Sequence, residues 1–325
     1  MYFTFILLQS TAILVVGLIL LVWSAERFVS GAAVTAANLG VSKIVIGLTI
    51  VSIGTSAPEI LVAISASLEA APKLAIGNAI GSNIANIGLV LGVTAIAAPL
   101  PFSHEIVKNE VRWLIGATLL GLFCLANLFL GSLDGLLLLA GLGLILYLMF
   151  AKQRLQPQLH GVVNDELDQI PAMPTHRGVF WLVFGLLLLL LSAQLVTQEA
   201  TKIAQLLGID ELIIGLTIVA IGTSLPELAA SVSAAVKGHA DIAIGNIVGS
   251  NILNVLAVLS VPALMHPIGI DSVVLWRDYG AMTTLTLALV IFALCRGSIS
   301  RLEGALMLTI WIGYNLILYI TQASV

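Results

Sequence analysis

With 325 residues, 59% of them hydrophobic and only 9% charged, the chain lies far from soluble domains, in which about a quarter of residues carry charge. It is expected to be an integral membrane protein. Its formal net charge of −4 is spread over polar joints with no basic patch or run, so no nucleic-acid partner is expected.

A helix needs roughly 20 apolar residues to cross the hydrocarbon. In chain order such stretches are predicted at 4–36, 41–66, 73–98, 109–130 and 133–151, then at 178–206, 209–235, 241–265, 272–295 and 301–321. No Lys or Arg precedes Arg27, so the first run lacks the basic region of a cleaved secretory signal and is expected to stay as a span. Lys152 to Arg177, with three Pro and several acids, is expected to be a solvent-exposed linker between a first half (1–151) and a second (178–325). Its Asn164-Asp165-Glu166 with Asp168 lacks the spacing and the Gly of an EF-hand loop. Cys124 and Cys295 fall in predicted spans without CxxC or His partners, and the five His fall at loops or span ends without metal-ligand spacing.

Two segments recur. Gly47 to Ile60, GLTIVSIGTSAPEI, matches Gly215 to Leu228, GLTIVAIGTSLPEL, at 11 of 14 positions with an offset of 168. Ala75 to Gly92 matches Ala243 to Ser260 at 11 of 18 with the same offset. The chain is therefore a tandem repeat. Five predicted spans per half is an odd number, so the second copy is expected to insert upside down, with a binding site near the midplane on interrupted helices. The positive-inside rule fits this count: with the N-terminus outside, ten Lys and Arg fall at cytoplasmic ends or loops and three outside. N-terminus and C-terminus outside, with the linker in the cytoplasm, is the expected topology.

The recurring octets S-I-G-T-S-A-P-E (52–59) and A-I-G-T-S-L-P-E (220–227) put an acid where hydrocarbon is expected. Pro58 cannot donate to the carbonyl of Gly54, nor Pro226 to that of Gly222, so each helix should open there. Carbonyls freed around Ser52 to Gly54 and Ala220 to Gly222 need protein or a water- or ion-filled cavity. Thr55 and Glu59, Ser52 and Ser56, Thr223 and Glu227, Ser82 and Asn86, and Ser250 and Asn254 are all i,i+4 pairs that share a helix side. Carboxylates, hydroxyls, amide oxygens and carbonyls without Cys or His make a hard-cation ligand set suited to Ca²⁺ or Na⁺. Two Glu at one site repel unless cations or protons neutralise them. The runs holding Gly77, Gly81, Gly245 and Gly249 are expected to be helix-packing faces. A membrane hydrolase is not expected, because Ser56 and Ser224 have no His or Lys in their segments to activate them.

On the duplicated GTSxPE and GNxxGSNIxN motifs, the chain resembles the cation/Ca²⁺ exchanger superfamily, specifically the bacterial and archaeal Na⁺/Ca²⁺ exchanger-like inner-membrane proteins. The resemblance covers essentially the whole chain. It implies an all-α polytopic fold of ten transmembrane helices in two inverted five-helix repeats, with alternating access by sliding of the first and sixth spans. The implied ion ligands are Thr55, Ser56, Glu59, Ser82 and Asn86, then Thr223, Ser224, Glu227, Ser250 and Asn254, with the carbonyls of Ser52 and Ala220. Relatives carry Asp where this chain has Asn254, so the site has two acids rather than three. The expected function is Ca²⁺/Na⁺ antiport in a bacterial inner membrane, with Ca²⁺/H⁺ exchange as the alternative and a passive cation channel as a third option. No cofactor and no protein partner are expected beyond the ions and the bilayer, and the chain is expected to act as a monomer.

Overall fold

The structure is a computed structural model and describes residues 2–102, 104–155, 173–208 and 220–323. Helix α1 covers Tyr2–Leu39. It is followed by α2 (Lys43–Thr55) and α3 (Ala57–Leu68), a pair bent by 44°. Then come α4 (Pro72–Ala97), α5 (His104–Leu125) and α6 (Ser132–Leu155). The second half contributes α7 (Thr175–Leu206), α8 (Ala220–Thr223) and α9 (Leu225–Val236). It closes with α10 (Ala240–Met265), α11 (Val274–Arg296) and α12 (Arg301–Ala323).

Helices dominate because a backbone in hydrocarbon must satisfy its own N–H and C=O groups. Seven of these helices are long and apolar enough to cross a membrane, and the bent α2–α3 pair makes an eighth. The expected span 109–130 is met by α5, which begins earlier and carries Lys108, Glu110 and Arg112 in its first half. Of the expected span 209–235, residues 209–219 fall outside the described residues. Helix α6 runs to Leu155 and α7 begins at Thr175, and the expected linker between them lies mostly outside the described residues.

Two antiparallel ladders modify the all-α expectation. Strands β1 (Leu100–Pro101) and β2 (Phe129–Leu130) flank α5, while β3 (Ile268–Gly269) and β4 (Ser298–Ile299) flank α11. β1 pairs with β4 and β2 with β3. β1 and β3 are sequence-equivalent, being 168 residues apart. They sit at opposite ends of α5, whose 22 residues span about 33 Å at 1.5 Å per residue.

Backbone conformation follows the repeat as well. Among the described residues, left-handed φ occurs at six positions that form three pairs: Gly40 with Gly208, Ala70 with Gly238, and Leu128 with Gly297. The first two pairs are 168 residues apart and the third 169. Gly40 and Gly208 follow the ends of α1 and α7, where a positive φ turns the chain out of the helix.

Helices α1 and α7 pack antiparallel along their length. A Cβ on Gly185 would lie 2.6 Å from the Phe28 nitrogen, and one on Gly17 would lie 3.0 Å from Val196 Cγ2. These two contacts exchange under the repeat offset. Near them Ser24 Oγ and Ser192 Oγ lie 3.5 Å apart. Helices α2 and α10 approach similarly: a Cβ on Gly47 would meet the Gly245 Cα at 3.1 Å, and one on Gly249 the Leu48 carbonyl at 2.6 Å. Gly245 and Gly249 thus form a packing face, whereas Gly77 and Gly81 meet no described residue.

Candidate cation site

The octets break where their prolines dictate, one turn later than the freed-carbonyl reading places the opening. Helix α2 ends at Thr55, Ser56 leaves helical geometry at φ −83° and ψ 7°, and Pro58 sits in the first turn of α3, where its missing N–H costs nothing. Ser224 repeats this at φ −91° and ψ 3°, with Pro226 in the first turn of α9. Glu59 and Glu227 therefore each occupy the first turn of a new helix, the end whose dipole favours an anion.

Ser52 has no open carbonyl to offer in this conformation. It accepts from the Ser56 N–H at 2.9 Å and from Thr55 Oγ1 at 3.4 Å. The second half differs, since the Ser224 N–H reaches the carbonyl of Ile221 at 3.1 Å. Ala220 opens α8.

Both octets carry S-x-x-E, the capping-box pattern in which the Ser hydroxyl would cap its own helix. No such local cap forms at Ser56 or Ser224. Ser56 Oγ instead donates to Glu227 Oε1 at 2.9 Å, across 171 residues of sequence. The hydroxyls of Thr55 and Ser250 lie alongside the same carboxylate, and Glu59 and Glu227 are close enough to interact as charges.

Ser52, Thr55, Ser56, Glu59, Asn86, Glu227, Ser250 and Asn254 are all fully buried. Ser82 and Ser224 are nearly so, and Thr223, at the end of α8, is half-buried. Asn86 and Asn254 each open a π-helical stretch, Asn86–Leu91 in α4 and Asn254–Val258 in α10. Such widened turns recur at functional sites. Among the described residues, Glu59 Oε1 and Oε2, Glu227 Oε2, Ser224 Oγ, Ser250 Oγ and both polar atoms of Asn86 and of Asn254 have no hydrogen-bond partner. A buried polar atom without a partner costs about 1–3 kcal/mol, more when charged. Such a cluster is unstable unless something polar completes it, and its carboxylate, hydroxyl and carboxamide oxygens suit hard cations.

Two residues outside the expected ligand set support the acids. Asn78 Nδ2 donates to the carbonyl of Glu59 at 3.3 Å, and Asn246 Nδ2 to that of Glu227 at 3.4 Å. Asn246 also donates to Ser231 Oγ at 2.9 Å and accepts from Thr55 Oγ1 at 3.0 Å. Their recurrence in both GNxxG runs was the available signal, hidden because those runs were expected to be packing faces, which only the run of Gly245 and Gly249 proves to be.

The family model described as "Sodium/calcium exchanger protein" matches residues 9–151 and 177–320. CaxA of Alkalimonas amylolytica is 45% identical over 317 residues, covering 96% of this chain and 99% of that one. The inner membrane protein YrbG of Escherichia coli K12 is 38% identical, covering 89% of each chain. The sodium/calcium exchanger MaX1 of Methanosarcina acetivorans is 32% identical, covering 94% and 97%. Among solved structures, the sodium-calcium exchanger NCX_Mj matches with a TM-score of 0.79 at 33% identity, covering 94% of this chain and 96% of that one. Broken helices, a buried two-acid cluster and these relationships converge: the chain is a membrane antiporter and not an enzyme, and it belongs to the sodium/calcium exchanger family.

Proposed function

We propose that the chain exchanges Ca²⁺ for Na⁺ by alternating access at the Glu59/Glu227 cluster, in ten spans arranged as two inverted repeats. The group of buried, unpartnered oxygens around the two carboxylates carries this reading. Ca²⁺, or two monovalent ions, would balance the two acids, and competition for the same oxygens would couple the two fluxes. The ligands would be Thr55, Ser56, Glu59, Ser82 and Asn86 with Thr223, Ser224, Glu227, Ser250 and Asn254. The carbonyl of Ala220 would join them, and that of Ser52 once its internal hydrogen bonds open.

The inverted arrangement is supported by the strand pairing. Since β2 pairs with β3 and β1 with β4, the sequence-equivalent β1 and β3 lie at opposite ends of α5, as an inverted arrangement requires. Both termini outside, and residues 152–177 in the cytoplasm, follow from the Lys and Arg bias.

A second reading, exchange of Ca²⁺ for H⁺, has its own observation. Asn254 contributes a carboxamide to the cluster, so Glu59 and Glu227 are its two acids among the described residues, and two protons would neutralise them as two Na⁺ would. Flux into reconstituted vesicles, with Na⁺ and pH gradients imposed separately, distinguishes the two. Ca²⁺ movement driven by a Na⁺ gradient at equal pH supports Na⁺ exchange, and movement driven by a pH gradient alone replaces it with H⁺ exchange.

A further inference from the structure

The lipid-facing seam of α1 and α7 carries a cation cluster that ion exchange does not use. Arg27 on α1 has its guanidinium 5.4 Å from the Trp23 ring and 5.0 Å from the Trp181 ring of α7. Trp23 and Trp181 meet edge to face at 6.1 Å, and Phe180 and Phe184 extend the aromatic surface. Cation–π contact of this kind is favourable and fixes the guanidinium plane.

On α1, Trp23 and Arg27 follow an exposed apolar run from Phe5 to Val22. On the antiparallel α7, exposed apolar residues begin at Val179, just after Arg177, which lies one turn from Trp181 on the same helix side. Aromatic side chains favour the membrane–water interface, and long basic side chains reach through it to the headgroups.

Charge is uncompensated there. Lys237 lies over the neighbouring residue, donating to the Glu26 carbonyl at 3.2 Å and to Ser30 Oγ at 3.1 Å, and it interacts with the Glu26 charge. Neither Arg27 nor Arg177 is ion-paired to a described carboxylate. The repeat supplies an internal control. The residues offset by 168 from Trp23, Arg27 and Trp181 are Leu191, Leu195 and Ile13, all aliphatic, so the fold itself does not require the cluster.

We propose that Arg27, held between Trp23 and Trp181, binds the phosphate of an anionic membrane phospholipid across the α1–α7 seam. The two indoles cover the glycerol and upper acyl region while the guanidinium presents its N–H fork to the phosphate oxygens, a geometry Arg satisfies better than Lys.

Native mass spectrometry of the purified full chain, with phosphatidylglycerol or phosphatidylcholine added, tests this. The wild type is expected to retain phosphatidylglycerol preferentially. Arg27→Gln should reduce that retention about fivefold, Trp181→Leu should reduce it while keeping the charge, and Leu195→Gln at the repeat-equivalent position should leave it unchanged. Equal phosphatidylglycerol retention in the wild type and in both Arg27→Gln and Trp181→Leu, at unchanged melting temperature, overturns the proposal. Stripping of the lipid adduct by millimolar inorganic phosphate also overturns it, by identifying a free anion as the ligand.

Discussion

Ser24 and Ser192 place their hydroxyl oxygens 3.5 Å apart across 168 residues of sequence, and 168 is also the offset of the repeat. A residue can touch its own repeat equivalent only on the axis that relates the two halves. Under the proposed inverted arrangement that axis would run between α1 and α7, and the exchange of the Gly17–Val196 and Phe28–Gly185 contacts is what it requires.

Glu59→Gln and Glu227→Gln each keep side-chain shape and remove one charge from the cluster. Under the proposed function, ⁴⁵Ca uptake into vesicles is expected to fall to background in either variant, with the fold retained. Near-normal uptake by purified Glu59→Gln would remove the acids from the mechanism.

Asn254→Asp adds a third acid to the cluster. The Na⁺ dependence of Ca²⁺ flux, or its Hill slope, is expected to change more than the apparent Ca²⁺ affinity. An unchanged Na⁺ profile makes position 254 a bystander.

Asn246→Ala withdraws support from the Glu227 backbone, Thr55 and Ser231 at once. Each lost hydrogen bond is worth about 1 kcal/mol, and a buried group left unpaired costs up to about 3 kcal/mol. A lower melting temperature is expected together with a raised KM for Ca²⁺. A variant that melts lower but transports with wild-type KM assigns Asn246 to packing alone.

Ala70 holds a φ of 55° where its repeat equivalent is Gly238, at 77°. Left-handed geometry costs a residue with a Cβ about 1–2 kcal/mol, partly offset by the added freedom of Gly in the unfolded chain. Ala70→Gly should raise the melting temperature and Gly238→Ala lower it. Thermal melts of the two variants in detergent check both directions, and the same sign for both refutes the argument.

The repeat, the helix breaks and the two acids were legible because Pro, Gly and an intramembrane Glu are rare and recur at one spacing. The span α5 was harder to place, since Lys108, Glu110 and Arg112 blur its apolar signal. Ladders of two residues carry no period to detect. The redirection of Ser56 from its own helix to Glu227 depends on how the halves meet, and S-x-x-E alone points to the local cap. Ser52 looked open because a Pro that frees one carbonyl does not say which neighbouring N–H and hydroxyl will turn toward the others.

The crossed ladders have a further consequence. β1 is completed by β4, and β2 by β3, so a half expressed alone would expose an unpaired strand edge at each end, in a setting where free backbone groups are costly. A second copy in the opposite orientation would satisfy both edges, with the same patch on each subunit as in any two-fold interface. Under the proposed inverted arrangement, the molecule would correspond to an antiparallel homodimer whose two subunits are joined in one chain.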